Sequence, residues 1–156
     1  MKENDRYARL FSLTAILLCG SFTSCMADRH PHADRVPSHA KEEAVNTKAP
    51  FGNALNAPSE VVEAGKKLFE GQGRCITCHG KSGKGDGPAA TLLKPAPRDF
   101  TDCQFQKGRK DGELFWIIKH GSPGTGMQAM IPHMVTKEGG WQLVAYIRSF
   151  CKTQGG

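Results

Sequence analysis

Cys75-Ile76-Thr77-Cys78-His79 places two thiols three positions apart and an imidazole directly after the second. This C-x-x-C-H spacing suits the covalent attachment of a c-type haem. Each thiol can form a thioether with one porphyrin vinyl group, which holds the adjacent imidazole under the iron, so His79 is expected as the proximal axial ligand. Two other chemistries fit less well. A zinc site needs four ligands, and no second C-x-x-C or spaced histidine pair stands in the part of the chain expected to fold. A redox dithiol of the thioredoxin kind needs a strand-helix-strand setting that the surrounding sequence does not offer.

Three helical patterns frame the motif. The first begins at Ser59, a good N-cap, with Glu60 and Glu63 at the positive end of the dipole and Val61, Ala64, Gly65 and Leu68 at helical spacing beside Phe69. It runs out at Gly71-Gln72-Gly73. The second is expected over Asp111 to His120, with Leu114, Ile117 and Ile118 on one face and Gly121 as its stop. The third spans about Lys137 to Cys151, with a stripe of Trp141, Val144, Ile147 and Cys151 backed by Leu143 and Phe150. The stretches between them are rich in Gly and Pro, and no strand pattern or internal repeat stands out. Three short helices and long loops make a poor core by themselves, and a haem would supply the missing apolar centre.

Several of these features, in this order, resemble the class I cytochromes c over residues 59–152. Gly65-Lys66-Lys67-Leu68-Phe69 is similar to that family's first helix, where a glycine and an aromatic let the last helix cross closely. Leu143-Val144-Ala145-Tyr146-Ile147 resembles that last helix. Gly85-Asp86-Gly87-Pro88 followed by Pro95-Ala96-Pro97-Arg98-Asp99-Phe100 is similar to a common bacterial subgroup. The resemblance implies an all-α cytochrome c fold, with three to five short helices and Gly/Pro-rich loops wrapped around one haem c held through Cys75 and Cys78. It also implies that the backbone carbonyl of Pro88 accepts the free ring N–H of His79, fixing its tautomer and strengthening it as a donor.

For the sixth iron position the candidates are Met127, Met130, Met134, His120 and His133. Gly124-Thr125-Gly126-Met127-Gln128-Ala129-Met130 resembles the family's methionine loop, which points to Met127. Gln128 stands where that family commonly has proline, so Met130 is a competitor. Whichever methionine is not a ligand is a core filler. Arg98 and Trp116 are candidates for hydrogen bonds to haem propionates, against blander readings as a basic surface residue and a core tryptophan. Cys103 and Cys151 remain after the other cysteines are assigned, and in an oxidising compartment they are a candidate disulfide.

Residues 1–25 read as an export signal: Lys2, Arg6 and Arg9, an apolar run from Leu10 to Leu18, and small polar residues up to Cys25. The apolar run is short for a membrane span. Phe22-Thr23-Ser24-Cys25 resembles the lipobox of bacterial lipoproteins, with Phe22 where leucine is usual; ordinary soluble secretion is the alternative. Residues 26–57, poor in large apolar side chains and containing Pro31, Pro37 and Pro50, read as a flexible tether to a domain over 58–156. Clustered His30, His32 and His39 lack anything that fixes a metal geometry. Removing residues 1–25 takes away three of the 21 basic and two of the 15 acidic residues, leaving a net charge of +5. Such a charge suits an acidic partner or a solvated surface. Dispersed lysines argue against nucleic acid.

The expected function is therefore a one-electron carrier between redox protein partners of a respiratory chain. It works periplasmically or otherwise outside the cytoplasm and is membrane-anchored if Cys25 carries a lipid. It transforms no small-molecule substrate, because the haem supplies the redox chemistry. The alternative is a haem-based sensor or peroxidase-like enzyme with an open sixth iron position.

Overall fold

The structure is a computed structural model that describes residues 33–152. A 3-10 turn at Ser38–Ala40 leads into α1 (Lys41–Asn46), and a second 3-10 turn at Ala54–Asn56 precedes α2 (Ser59–Glu70). Then follow α3 (Ile76–His79), a 3-10 turn at Ala90–Leu92, α4 (Cys103–Lys107), α5 (Asp111–His120) and α6 (Lys137–Lys152). Among the described residues the only β pairing is an isolated bridge between Ala49 and Gly52, so the fold is all-α as expected. The domain expected from residue 58 holds five helices, α2 to α6, within the three to five expected, and α1 precedes it. Those not read from periodicity are pieces of 6, 4 and 5 residues, α1, α3 and α4. Each is too short to show a helical period in sequence.

The three longer helices fall where their periodicity places them, with one difference of detail. Ser59 is the first helical residue and makes no capping hydrogen bond; its hydroxyl lies 3.4 Å from the Glu60 carboxylate. Pro58, at φ −54°, sets the entry to α2 in its place. Gly121 ends α5 at φ +78°, a left-handed conformation.

Helices α2 and α6 cross in backbone contact. A Cβ added at Gly65 would lie 2.0 Å from the Gln142 carbonyl oxygen and 2.9 Å from Tyr146 Cβ, so only glycine permits this approach. The crossing buries Phe69 completely, and its ring lies 5.3 Å from that of Tyr146, 5.7 Å from Phe150 and 6.3 Å from Phe100. On the other side of α6, Trp141 stacks on Phe115 of α5 at 4.1 Å, tying the second long helix to the same core.

A flexible tether over residues 26–57 is not what the described part of that segment forms. Val36, Ala40 and Ala44 are buried against Trp116 and Ile117 of α5, and Ala49 and Ala54 enter the main core. Small residues do this because the backbones come close: a Cβ on Gly112 of α5 would lie 2.0 Å from the Ala44 carbonyl oxygen. Composition misled because alanine buries little surface per residue, and here close approach and polar contacts replace bulk. Residues 26–32, with His30 and His32, and the whole of 1–25 lie outside the described residues; His39 is exposed.

Arg148 of α6, nearly fully buried, joins these layers. Its Nε donates to Asp111 at 2.7 Å, and its other nitrogens donate to the Gln106 carbonyl and side-chain oxygens and to the Arg109 carbonyl. Asp111 also accepts the Ala54 amide at 2.9 Å. Cys103 and Cys151 form the expected disulfide, with Cα atoms 5.4 Å apart, and so fasten α4 to the end of α6.

Two expectations follow for stability, each read from a denaturant midpoint. Gly65→Ala should lower the unfolding free energy by at least about 3 kcal/mol, the upper end of overpacking costs, because the obstacle is backbone. Arg148→Met should cost roughly 3–5 kcal/mol by leaving the Asp111 carboxylate without its partner, and the added loss from Asp111→Asn in that background should be smaller than in the parent.

Candidate cofactor site

The core is interrupted by a cavity of about 230 Å³, lined in part by the loop after α3 and the loop after α5. Its walls are largely apolar, with Leu93, Phe100, Leu114, Ile118, Leu143 and Ile147 among them. Cys75, Cys78 and His79 line it from the start and body of α3. Met127 and Met130 line it from the loop after α5.

Helix α3 brings the thiols and the imidazole together in one turn, with the His79 amide bonded to the Cys75 carbonyl at 2.8 Å. Both cysteines are free thiols. Burial pushes the Cys75 thiol up to about 12, so it is neutral near pH 7. The imidazole is fixed by two contacts. His79 Nδ1 lies 3.1 Å from the Arg98 carbonyl oxygen, and the ring stacks on Phe100 with centroids 4.4 Å apart. A carbonyl only accepts, so Nδ1 carries the proton and Nε2 keeps its lone pair. Burial lowers the imidazole pKa, and the bond to Arg98 opposes that only in part.

This corrects the role expected for Pro88, which is exposed and does not line the cavity. The reason lies in the path of the loop. The Gly87 and Ala89 amides bond back to the Cys78 and Thr77 carbonyls at 3.1 and 2.9 Å, curling the 80s turn against α3. The chain then returns, anchored by Phe100 N to the Gly83 carbonyl at 2.7 Å, and it is this return that carries the Arg98 carbonyl to the imidazole. The sequence signal was present in Pro97-Arg98-Asp99-Phe100, but a carbonyl acceptor leaves no mark in residue type.

The second wall is a closed turn: Ser122 N donates to the Met127 carbonyl at 2.9 Å, and Met127 N to the Thr125 hydroxyl at 3.1 Å. Met130 is packed against the main core, whereas Met127 belongs to neither core cluster. Met134 also packs on the core and does not line the cavity. His120 lies against Trp116, with ring centroids 4.7 Å apart, and His133 is exposed; neither lines the cavity. Trp116 itself packs on the N-terminal cluster and does not line the cavity, so the propionate role considered for it is not supported, while Arg98 does line it. Arg35 and Arg109, which sequence reasoning missed, line the same cavity.

These residues fit a covalently held haem. The lining is apolar, two thiols and an imidazole nitrogen share one wall, and a thioether stands on another. Ser122 Oγ, buried at the cavity, is the one buried side-chain polar atom among the described residues without a hydrogen-bond partner. Fold and site together define a helical protein of the kind that holds haem c covalently. The chain belongs to the cytochrome c family, whose model matches residues 62–150, more than half of the sequence.

Among solved structures, a chain of the Kuenenia stuttgartiensis reducing HAO-like protein complex is similar with a TM-score of 0.56 and 28% identity. That match covers 67% of this chain and 50% of the other, so this chain spans about half the length of that relative. Cytochrome cL from the marine methylotrophic bacterium Methylophaga aminisulfidivorans aligns with a TM-score of 0.48 and 24% identity, covering 72% of this chain and 68% of that one. No curated protein matches.

Phe100 both stacks on the imidazole and fills the core beneath it. Phe100→Ala should therefore cost about 3–5 kcal/mol of stability, as buried aromatic truncations do, measured by denaturant unfolding.

Proposed function

We propose that this protein is a mono-haem c-type cytochrome that carries single electrons between redox protein partners, with Cys75 and Cys78 attached to the haem and His79 and Met127 as axial ligands. The observation that carries this reading is the single orientation of His79. Its Nδ1–H is directed at the Arg98 carbonyl, and Met127 lines the same cavity from a separate element. When bound, a haem supplies the one-electron Fe(III)/Fe(II) couple.

The chain's own residues hold the donors and shape their surroundings. The Arg98 carbonyl keeps the proton on Nδ1 and makes the imidazole more basic toward a metal. Phe100 restricts ring rotation. The Ser122–Met127 turn holds the thioether loop closed, and the walls of the cavity are largely apolar. Met130, held by core packing, is the less suited of the two methionines. Neither His120 nor His133 lines the cavity, which favours a filled sixth position and an electron carrier over a sensor or peroxidase-like enzyme.

A site outside the cytoplasm is supported by the export-signal pattern of residues 1–25 and by the Cys103–Cys151 disulfide, since such bonds persist in oxidising compartments. A lipid on Cys25 would anchor the chain to a membrane. Among the described residues no helix is long and apolar enough to cross one. Likeness to a chain of a multi-protein complex favours a second form of the same role, a resident subunit of a redox complex. Co-purification of stoichiometric partners in mild detergent separates that form from a mobile carrier.

The ferric protein should show the weak near-infrared band of methionine sulfur on iron, unchanged by carbon monoxide exposure of the reduced form. Met127→Ala should abolish the band and Met130→Ala should retain it. Absence of the band with ready carbon monoxide binding would favour the sensor or enzyme reading.

A further inference from the structure

Gln106 of α4 is buried, a costly place for an amide unless it is hydrogen-bonded. Its Nε2 donates to the Phe100 carbonyl at 2.9 Å and to the Ile147 carbonyl of α6 at 2.8 Å, and its Oε1 accepts from the Arg148 guanidinium at 2.9 Å. This pattern fixes the orientation of the amide. A guanidinium only donates and a backbone carbonyl only accepts, so the oxygen faces Arg148 and the nitrogen faces the two carbonyls.

The Phe100 carbonyl belongs to the return that serves His79, and that return is held from several sides. Phe100 N donates to the Gly83 carbonyl at 2.7 Å. A Cβ on Gly85 would lie 2.6 Å from the Pro97 carbonyl oxygen, so the chain runs close against a glycine. Gln106 then holds the carbonyl side of Phe100. The two groups that touch the imidazole, the Arg98 carbonyl at 3.1 Å from Nδ1 and the Phe100 ring stacked at 4.4 Å, both belong to this stretch. Gln106 is itself well placed by its helix. The Asp102 carboxylate caps α4 by accepting the Gln104 and Phe105 amides at 2.9 and 3.1 Å, and Cys103 is bonded to Cys151.

We propose that Gln106, oriented by Arg148, is a positioning residue for the proximal ligand: by clamping the Phe100 carbonyl it holds the Arg98 carbonyl on His79 Nδ1–H. The inference rests on the haem reading above and deepens it, because it links a buried amide that does not line the cavity to the donor strength of the iron's ligand. The sign follows from the bond. A carbonyl accepting Nδ1–H makes the imidazole a stronger donor, and a stronger donor favours the more positive ferric iron. Releasing the clamp lengthens that bond, weakens the donor and favours the ferrous state.

The test uses the full-length haem-loaded chain and compares Gln106→Met with two controls. Gln104→Met changes an exposed residue of the same helix, and Phe115→Leu damages the core at its stack on Trp141 without touching the cofactor cavity. Against a fixed redox mediator, Gln106→Met should shift the ferric-to-ferrous ratio about threefold or more toward ferrous, as loss of a ligand's outer support does. In proton NMR of the ferrous protein, its His79 Nδ1–H resonance should move upfield. Both controls should leave ratio and resonance in place, although Phe115→Leu lowers stability. In the wild-type ferrous protein, the Gln106 side-chain nitrogen should show scalar coupling across its hydrogen bond to the Phe100 carbonyl carbon. A missing coupling would overturn the inference whether or not the variant folds. So would an unmoved resonance and ratio in Gln106→Met, or equal movement in Phe115→Leu, and in each case the haem reading stands. A wild-type chain without covalently bound haem would overturn the haem reading, and with it the predicted redox shift.

Discussion

The contact between α2 and α6 at Gly65 is the constraint from which the rest of the structure follows. With the Gln142 carbonyl lying where a Cβ would stand, the two helices share a backbone-to-backbone seam. The seam buries Phe69 and aligns Tyr146, Phe150 and Phe100 around it. Phe100 in turn carries the imidazole of His79. Packing at a crossing some distance along the chain thereby sets the position of the residue most directly concerned with chemistry. Close-packed interiors transmit such constraints because they have few voids in which to absorb a displacement.

The cavity is a second organising feature. The loops supply the walls, and each is pinned by backbone bonds rather than by regular structure. The 80s turn folds onto α3, the return through residues 95–100 brings a carbonyl to the imidazole, and the turn from Ser122 to Met127 closes on itself. Buried polar networks give this irregular shell its definition. Arg148 alone ties α6 to Asp111, Gln106 and Arg109, and through Asp111 to the amide of Ala54. Such a residue stabilises mainly by leaving no buried group without a partner.

The N-terminal segment shows how little bulk is needed to dock a chain when the backbones approach closely. Alanines face a glycine of α5, and a lysine reaches a buried glutamate. The segment is thus part of the cavity's wall, and the described part of the expected tether belongs to the folded domain.

The sequence by itself determined the chemistry and the frame. C-x-x-C-H has one spacing that brings two thiols and an imidazole to one face of a single helical turn, and that needs no tertiary information. The bounds of α2, α5 and α6 were likewise written in apolar periodicity and in the glycines that stop or cross them. The pairing of Cys103 with Cys151 was open in sequence, since their approach depends on where α4 lands beside the end of α6. What only the tertiary structure decided were contacts made by backbone or by charge across long separations. The partner of His79 is a carbonyl, which every residue possesses, so sequence could assign it to Pro88 as readily as to Arg98. The packing of residues 33–57 rests on close approach, and the gathering of Arg35, Arg98 and Arg109 on the meeting of three separate loops. Side-chain type and local period encode short-range geometry; which distant surfaces meet is set by the mutual fit of the whole fold.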